Sequence, residues 1–275
     1  MSERGVASGA VEDVAERVLG AWDVVLAVAE DRTDLADLAE LGSWPERPVL
    51  ATLMAQARSD DVAEPPAKRD RSAESASEIR AALHDARTRV ATALKEVAAD
   101  PALARRELPS NLGPLPLLTQ INAMGHELAL ALLRAEGART ALPQPVADAG
   151  LAALVDVVGG LACRQGLTLS AGAWEPDGGL GWWFQSDTEG WTTRPGRPDR
   201  GVPGIEGTAA LILGAPGGPT SLPAQLARGE LRLHRISRLM GLAPLVEQVP
   251  GLPGGPLLRR AVSMVGLFGR IPGRR

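Results

Sequence analysis

Between Gly113 and Gly137 the stretch GPLPLLTQINAMGHELALALLRAEG sets His126 and Glu127 side by side among leucines. An imidazole and a carboxylate on one helix are two of the donor types from which a divalent-metal site is built. Further soft or nitrogen ligands are scarce, with three histidines and one cysteine in 275 residues. His84 stands beside Asp85 in a polar register and reads as solvated, while His234, near Arg232 and Arg235, reads as a capping or surface residue. Cys163 follows Leu161 and Ala162 on an apolar segment, where a thiol packs as a small core side chain. Arg164 beside it would lower its pKa if the thiol were exposed. The glycine-rich run GAPGGPTSLP lacks the Lys-Ser/Thr ending of a phosphate loop and reads as a plain loop.

Helical geometry separates the two candidate ligands. At about 100° per residue, the apolar stripe through Leu117, Ile121, Met124, Leu128 and Ala131 leaves Glu127 roughly 80° off its centre and His126 about 180° away. The spacing therefore predicts that Glu127 flanks the interior and His126 faces solvent. Four tryptophans, Trp174, Trp182, Trp183 and Trp191, crowd the second half of a chain that has no tyrosine. They read first as core and otherwise as an apolar ligand wall.

The elements that must position these residues change character near Leu142-Pro143-Gln144-Pro145. Upstream the period is helical. Val11, Val14, Val18, Trp22, Val25 and Ala29 share a face, with Glu12, Asp13 and Glu16 suiting a first turn. Ser43 opens a capping-box spacing, with Val49, Leu50, Leu53 and Met54 behind it as a second helix. After the charged, proline-bearing loop from Asp60 to Arg71, Ser75 and Glu78 form another box ahead of Ile79, Leu83, Ala86, Val90, Leu94 and Val97. The stretch from Gly113 to Gly137 makes a fourth helix, and four amphipathic helices with a long crossover predict a bundle over 1–142. Downstream, a helix from Val146 to Arg164 precedes a meander over Leu167–Trp174, Leu180–Gln185 and Trp191–Thr193. Short helices are expected at Thr208–Leu213, Leu222–Ala227 and Ile236–Val246. The fold class is therefore α+β overall, with an α+β domain over 146–255 and a basic apolar tail over 256–275.

A net charge of −4 and a pI near 5.5 give no footprint for nucleic acid. One cysteine excludes a disulfide framework, and MSERGVASGA lacks the apolar core of a signal peptide, so a cytoplasmic location is expected. No apolar run reaches the roughly 18 residues of a membrane span. The tail from Leu257 to Arg275 holds Arg259, Arg260, Arg270, Arg274 and Arg275 without an acid. It reads as docked on the protein's own body, or else as a weak membrane-surface or protein contact, because Gly266, Gly269 and Pro272 interrupt an interfacial helix.

The order of helices, Gly42-Ser43-Trp44-Pro45, the phrase Leu112-Gly113-Pro114-Leu115-Pro116-Leu117 and His126-Glu127-Leu128 together resemble the mycothiol-dependent maleylpyruvate isomerase group, whose N-terminal domain is a DinB-like four-helix bundle. The second half, in Gly207 to Gly214 and Leu226 to Leu233, resembles the sterol-carrier-protein-like domain found at the C-terminus of such proteins. The resemblance implies a divalent metal such as zinc, a low-molecular-weight thiol such as mycothiol, and isomerase or S-transferase chemistry. It also implies a metal held by a helix-two histidine and a Glu-x-x-x-His pair on helix four. Glu127 matches the glutamate, whereas Thr52 and Ala131 stand where the two histidines would be. The expectation is a degenerate metal site in a protein that binds a small apolar molecule, with a metal- and thiol-dependent enzyme as the alternative.

Overall fold

The computed structural model describes residues 2–46, 74–110, 112–137, 140–215, 222–242 and 245. The most apolar helix organises it. This helix, α7 (Gln144–Arg164), is preceded by Pro143 and carries Pro145 in its first turn, and it buries residues on all sides. One flank packs on α6 (Met124–Glu136) and α1 (Val11–Asp31), and the other covers a five-stranded sheet. Its length and composition would suit a membrane span, but 72% of its most apolar window is buried inside the fold. It also holds Asp148 and Asp156, and both are bound to the sheet.

Around α7 the helical layer contains α1, the one-turn α2 (Ala36–Ala39), α3 (Ala76–Ala99), α4 (Pro101–Arg105) and α5 (Leu117–Asn122). The expected face of α1 is buried from Val11 to Ala29, with Trp22 fully enclosed. Helix α3 begins as expected: the Ser75 side chain accepts from Glu78 N at 3.4 Å and Glu78 Oε2 accepts from Ser75 N at 2.8 Å. Ser75→Ala removes one arm of this box and is expected to cost about 1 kcal/mol, read as a lowered Tm with the fold intact. Ser43, by contrast, lies in a 3-10 turn (Glu40–Glu46), where its hydroxyl donates back to Glu40 O at 2.8 Å. The helix expected after it, with Thr52, and the loop from Asp60 to Arg71 lie outside the described residues, as does the tail over 256–275.

The sheet runs β5-β4-β3-β6-β7, from β3 (Leu169–Trp174), β4 (Gly181–Ser186), β5 (Trp191–Pro195), β6 (Gly204–Glu206) and β7 (Arg232–His234). The antiparallel meander β3–β5 matches the sequence reading. Strands β6 and β7 add a parallel pair to β3 and an antiparallel edge. A two-stranded ribbon, β1 (Glu107–Leu108) with β2 (Leu115–Pro116), closes the connection into α5, and Gln120 Nε2 donates to Leu108 O and Leu115 O. Helices α8 (Ala209–Gly214), α9 (Leu222–Ala227) and α10 (Ile236–Leu239) complete the described α+β fold.

Candidate functional site

The helix that carries His126 and Glu127 is not continuous. It breaks at Ala123 between α5 and α6, where His126 N donates to Ala123 O at 3.1 Å, a turn tighter than α-helical. Such a turn advances the chain by about 120° per residue, which rotates everything after it. The new helix is also packed from two sides, so it has no single solvent face. His126 is consequently buried, not at the surface, and Glu127 is only half-buried. Burial pushes the His126 pKa down against the opposing pull of Glu127, which keeps the ring neutral, and Nε2 has no partner. Ala131 is fully buried among core residues, and Thr52 lies outside the described residues. Among the described residues no group of three or more His, Cys, Asp or Glu is placed to hold a metal ion.

The remaining sequence candidates are spread over the fold. Trp182 and Trp191 lie on the sheet face that meets α7, and their indole N–H groups donate to Asp148 at 2.7 Å and to Asp156 at 3.0 Å. Trp174 and Trp183 lie on the opposite face, so the four tryptophans do not line one wall. Trp174 donates to Glu206 at 3.0 Å and packs 5.2 Å from His234, while Arg194 sits 5.6 Å over Trp183. Glu206 is buried beneath Arg197, Arg232 and His234, and the Trp174 N–H, ahead of these neighbours, holds its carboxyl below the usual range. His84 is exposed, 3.4 Å from Glu30. Cys163 is buried, and burial raises its thiol pKa. The guanidinium near it is Arg4, 3.8 Å away, because Arg164 is committed to Leu112 O and Pro114 O.

What the structure does assemble is a cleft of about 640 Å³ between α1, the N-terminal segment, the start of α7 and β4–β5. Arg17 projects from α1 between Val14 and Val18, and its guanidinium stacks 4.7 Å over the Trp182 ring. Its Nη2 donates to Asn122 Oδ1 at 3.3 Å, and its Nε is buried without a partner. Desolvation lowers its pKa, offset by Asp148, Asp156 and Asp13. The rim carries Asp13 and Glu16 from α1 and Asp148 from α7. A second opening of about 550 Å³, past Leu180 and Gln144, shares Asp148 and Pro195 with the first.

Asp156 anchors the cleft's rear wall. Its Oδ1 accepts from Val6 N at 3.1 Å, Trp191 Nε1 at 3.0 Å and Thr193 Oγ1 at 2.7 Å, which ties the N-terminal segment to the sheet. Gly5, at φ +55°, passes so close that a Cβ would lie 2.0 Å from Oδ1, so only glycine fits. Burial raises the Asp156 pKa, although its hydrogen bonds oppose the shift. Its Oδ2 and the neighbouring Thr119 hydroxyl make no well-formed hydrogen bond among the described residues, although the hydroxyl is close enough to pull the Asp156 pKa down. Full burial favours the neutral form of this carboxyl, whereas the donors around it, Thr119 among them, favour the ionised form. Sequence reading passed over Arg17, Asp148, Asp156 and Thr193. The available signal was two aspartates eight apart on an otherwise apolar helix.

No protein-family model matches the chain, and no curated protein does. Among solved structures, a mycothiol-dependent maleylpyruvate isomerase variant aligns with a TM-score of 0.41 and 13% identity. The alignment covers 74% of this chain and 88% of that one.

Proposed function

We propose that this protein binds a small molecule in the cleft between α1 and the sheet, with the ligand's apolar part against Trp182. The observation that carries this reading is Arg17, a largely desolvated cation stacked on Trp182 at the floor of a cleft of ligand size and short of hydrogen-bond acceptors. In this reading the chain is a maleylpyruvate-isomerase-type protein whose metal site has degenerated, with Ala131 and Thr52 at two ligand positions. Titrating intrinsic tryptophan fluorescence with acyl chains, isoprenoids and low-molecular-weight thiols tests it. A saturable change is expected with at least one class. Trp182→Phe should remove most of that change and Trp183→Phe should leave it in place. Flat titrations throughout would sink the proposal.

One observation supports a second reading, a metal- and thiol-dependent isomerase or S-transferase. The neutral His126 ring keeps an unpartnered Nε2 beside Glu127. Those two residues alone do not make a site, so this reading needs ligands from elsewhere in the chain. Elemental analysis of protein purified without chelator separates the two: stoichiometric zinc would overturn the binding-protein reading.

A further inference from the structure

Resting on that reading of the cleft, we infer that its ligand is a small zwitterion, with a carboxylate directed at Arg17 and an ammonium directed at the acidic rim. The guanidinium has one edge to offer. Its Nη2 is held by Asn122 and its Nε is enclosed, so Nη1, which donates to nothing among the described residues, is left toward the cleft that Arg17 lines. A desolvated guanidinium lacking acceptors gains a charge-assisted bond from an incoming carboxylate. The stack on Trp182 fixes its plane beforehand, so little side-chain entropy is lost on binding.

A simple anion fits only half of this. Among the described residues lining this opening, the carboxylates Asp13, Glu16 and Asp148 outnumber the single cation Arg17. An acid without a balancing charge would meet repulsion from that rim. An amine without a carboxylate would leave Arg17 short of acceptors. Asp148 is already oriented by the Trp182 N–H at 2.7 Å, so its carboxylate is held at the cleft wall. Asp13 lies one turn before Arg17 on α1, on the same side of the helix. A molecule with both charges a few bonds apart on an apolar body satisfies cation, rim and indole wall together.

Calorimetric and fluorescence titrations of the full chain with phenylalanine, phenylalaninamide and 3-phenylpropionate test the inference. Phenylalanine is expected to bind at least tenfold more tightly than either singly charged analogue. Arg17→Gln should weaken phenylalanine and 3-phenylpropionate by tenfold or more. Asp13→Asn should weaken phenylalanine and phenylalaninamide while sparing 3-phenylpropionate. Equal or tighter binding of either analogue, or no binding of phenylalanine, would overturn the inference. If acyl chains, isoprenoids or thiols still perturb Trp182 in that event, the cleft remains a binding site for another class. If nothing perturbs Trp182, both readings fall.

Discussion

Asp156→Ala is expected to destabilise the protein by about 3–5 kcal/mol, because three buried or half-buried donors lose their shared acceptor and each orphaned group costs about 1–3 kcal/mol. Those donors are Val6 N, Trp191 Nε1 and Thr193 Oγ1, so the N-terminal segment should detach from the sheet as stability falls. Asp156→Asn keeps the accepting oxygen and replaces the other oxygen by an uncharged amide that can donate to Thr119. Its cost should stay under about 1.5 kcal/mol. Urea unfolding of the three proteins decides the matter, and an Asn variant as weak as the Ala variant would show that the native carboxyl is ionised. The pH dependence has a definite sign. The folded pKa lies above the unfolded value of 3.8, so the native state holds the proton more tightly. Asp156 therefore contributes most stability below pH 3.8, and that contribution is lost as pH rises through the folded pKa. Asp156→Asn should lack this decline, so the difference between wild type and variant should shrink or reverse as pH rises.

Gly125→Val is expected to cost about 3 kcal/mol or more by forcing α6 away from α7. A Cβ at this position would stand 2.4 Å from Ala149 O and 2.6 Å from Ala149 C, which are backbone atoms that cannot rotate aside. Helix propensity alone argues the other way, since alanine is favoured over glycine, by up to about 1 kcal/mol in a helix interior and by less in the first turn where Gly125 lies. Gly125→Ala thus sets the two effects against each other. The clash should win, with a net loss of about 2 kcal/mol. A lower urea midpoint at unchanged slope would confirm a stability effect, and a gain for the alanine variant would show that the helices can separate at little cost.

Several elements were legible because local periodicity and local chemistry agree with the final packing. The buried face of α1, the Ser75–Glu78 box and the strands from Leu169 to Pro195 follow from residues close in the chain. Strand β6 was not legible as a strand, since three residues are too few to show alternation and its pairing depends on β3, whereas the strand ending at His234 was read from its junction with the helix that follows. His126 was misplaced because a stripe calculation assumes one uninterrupted helix with one dry side. The chain tightens at Ala123, and α6 is enclosed by α7 and α1 together.

The amino-acid order by itself determined the α+β class, the net acidic charge, the helix start at Ser75 and the meander, because each depends on spacing over a few residues or on composition. Only the tertiary structure decided where the chemistry gathers. Arg17, Asp148, Asp156, Trp182 and Thr193 span more than 170 positions, and none is exceptional in its own segment. They come together because α7 is apolar enough to be buried between the helices and the sheet. Its two aspartates must then find donors there, and the donors within reach are the indoles, a hydroxyl and a backbone N–H of distant segments.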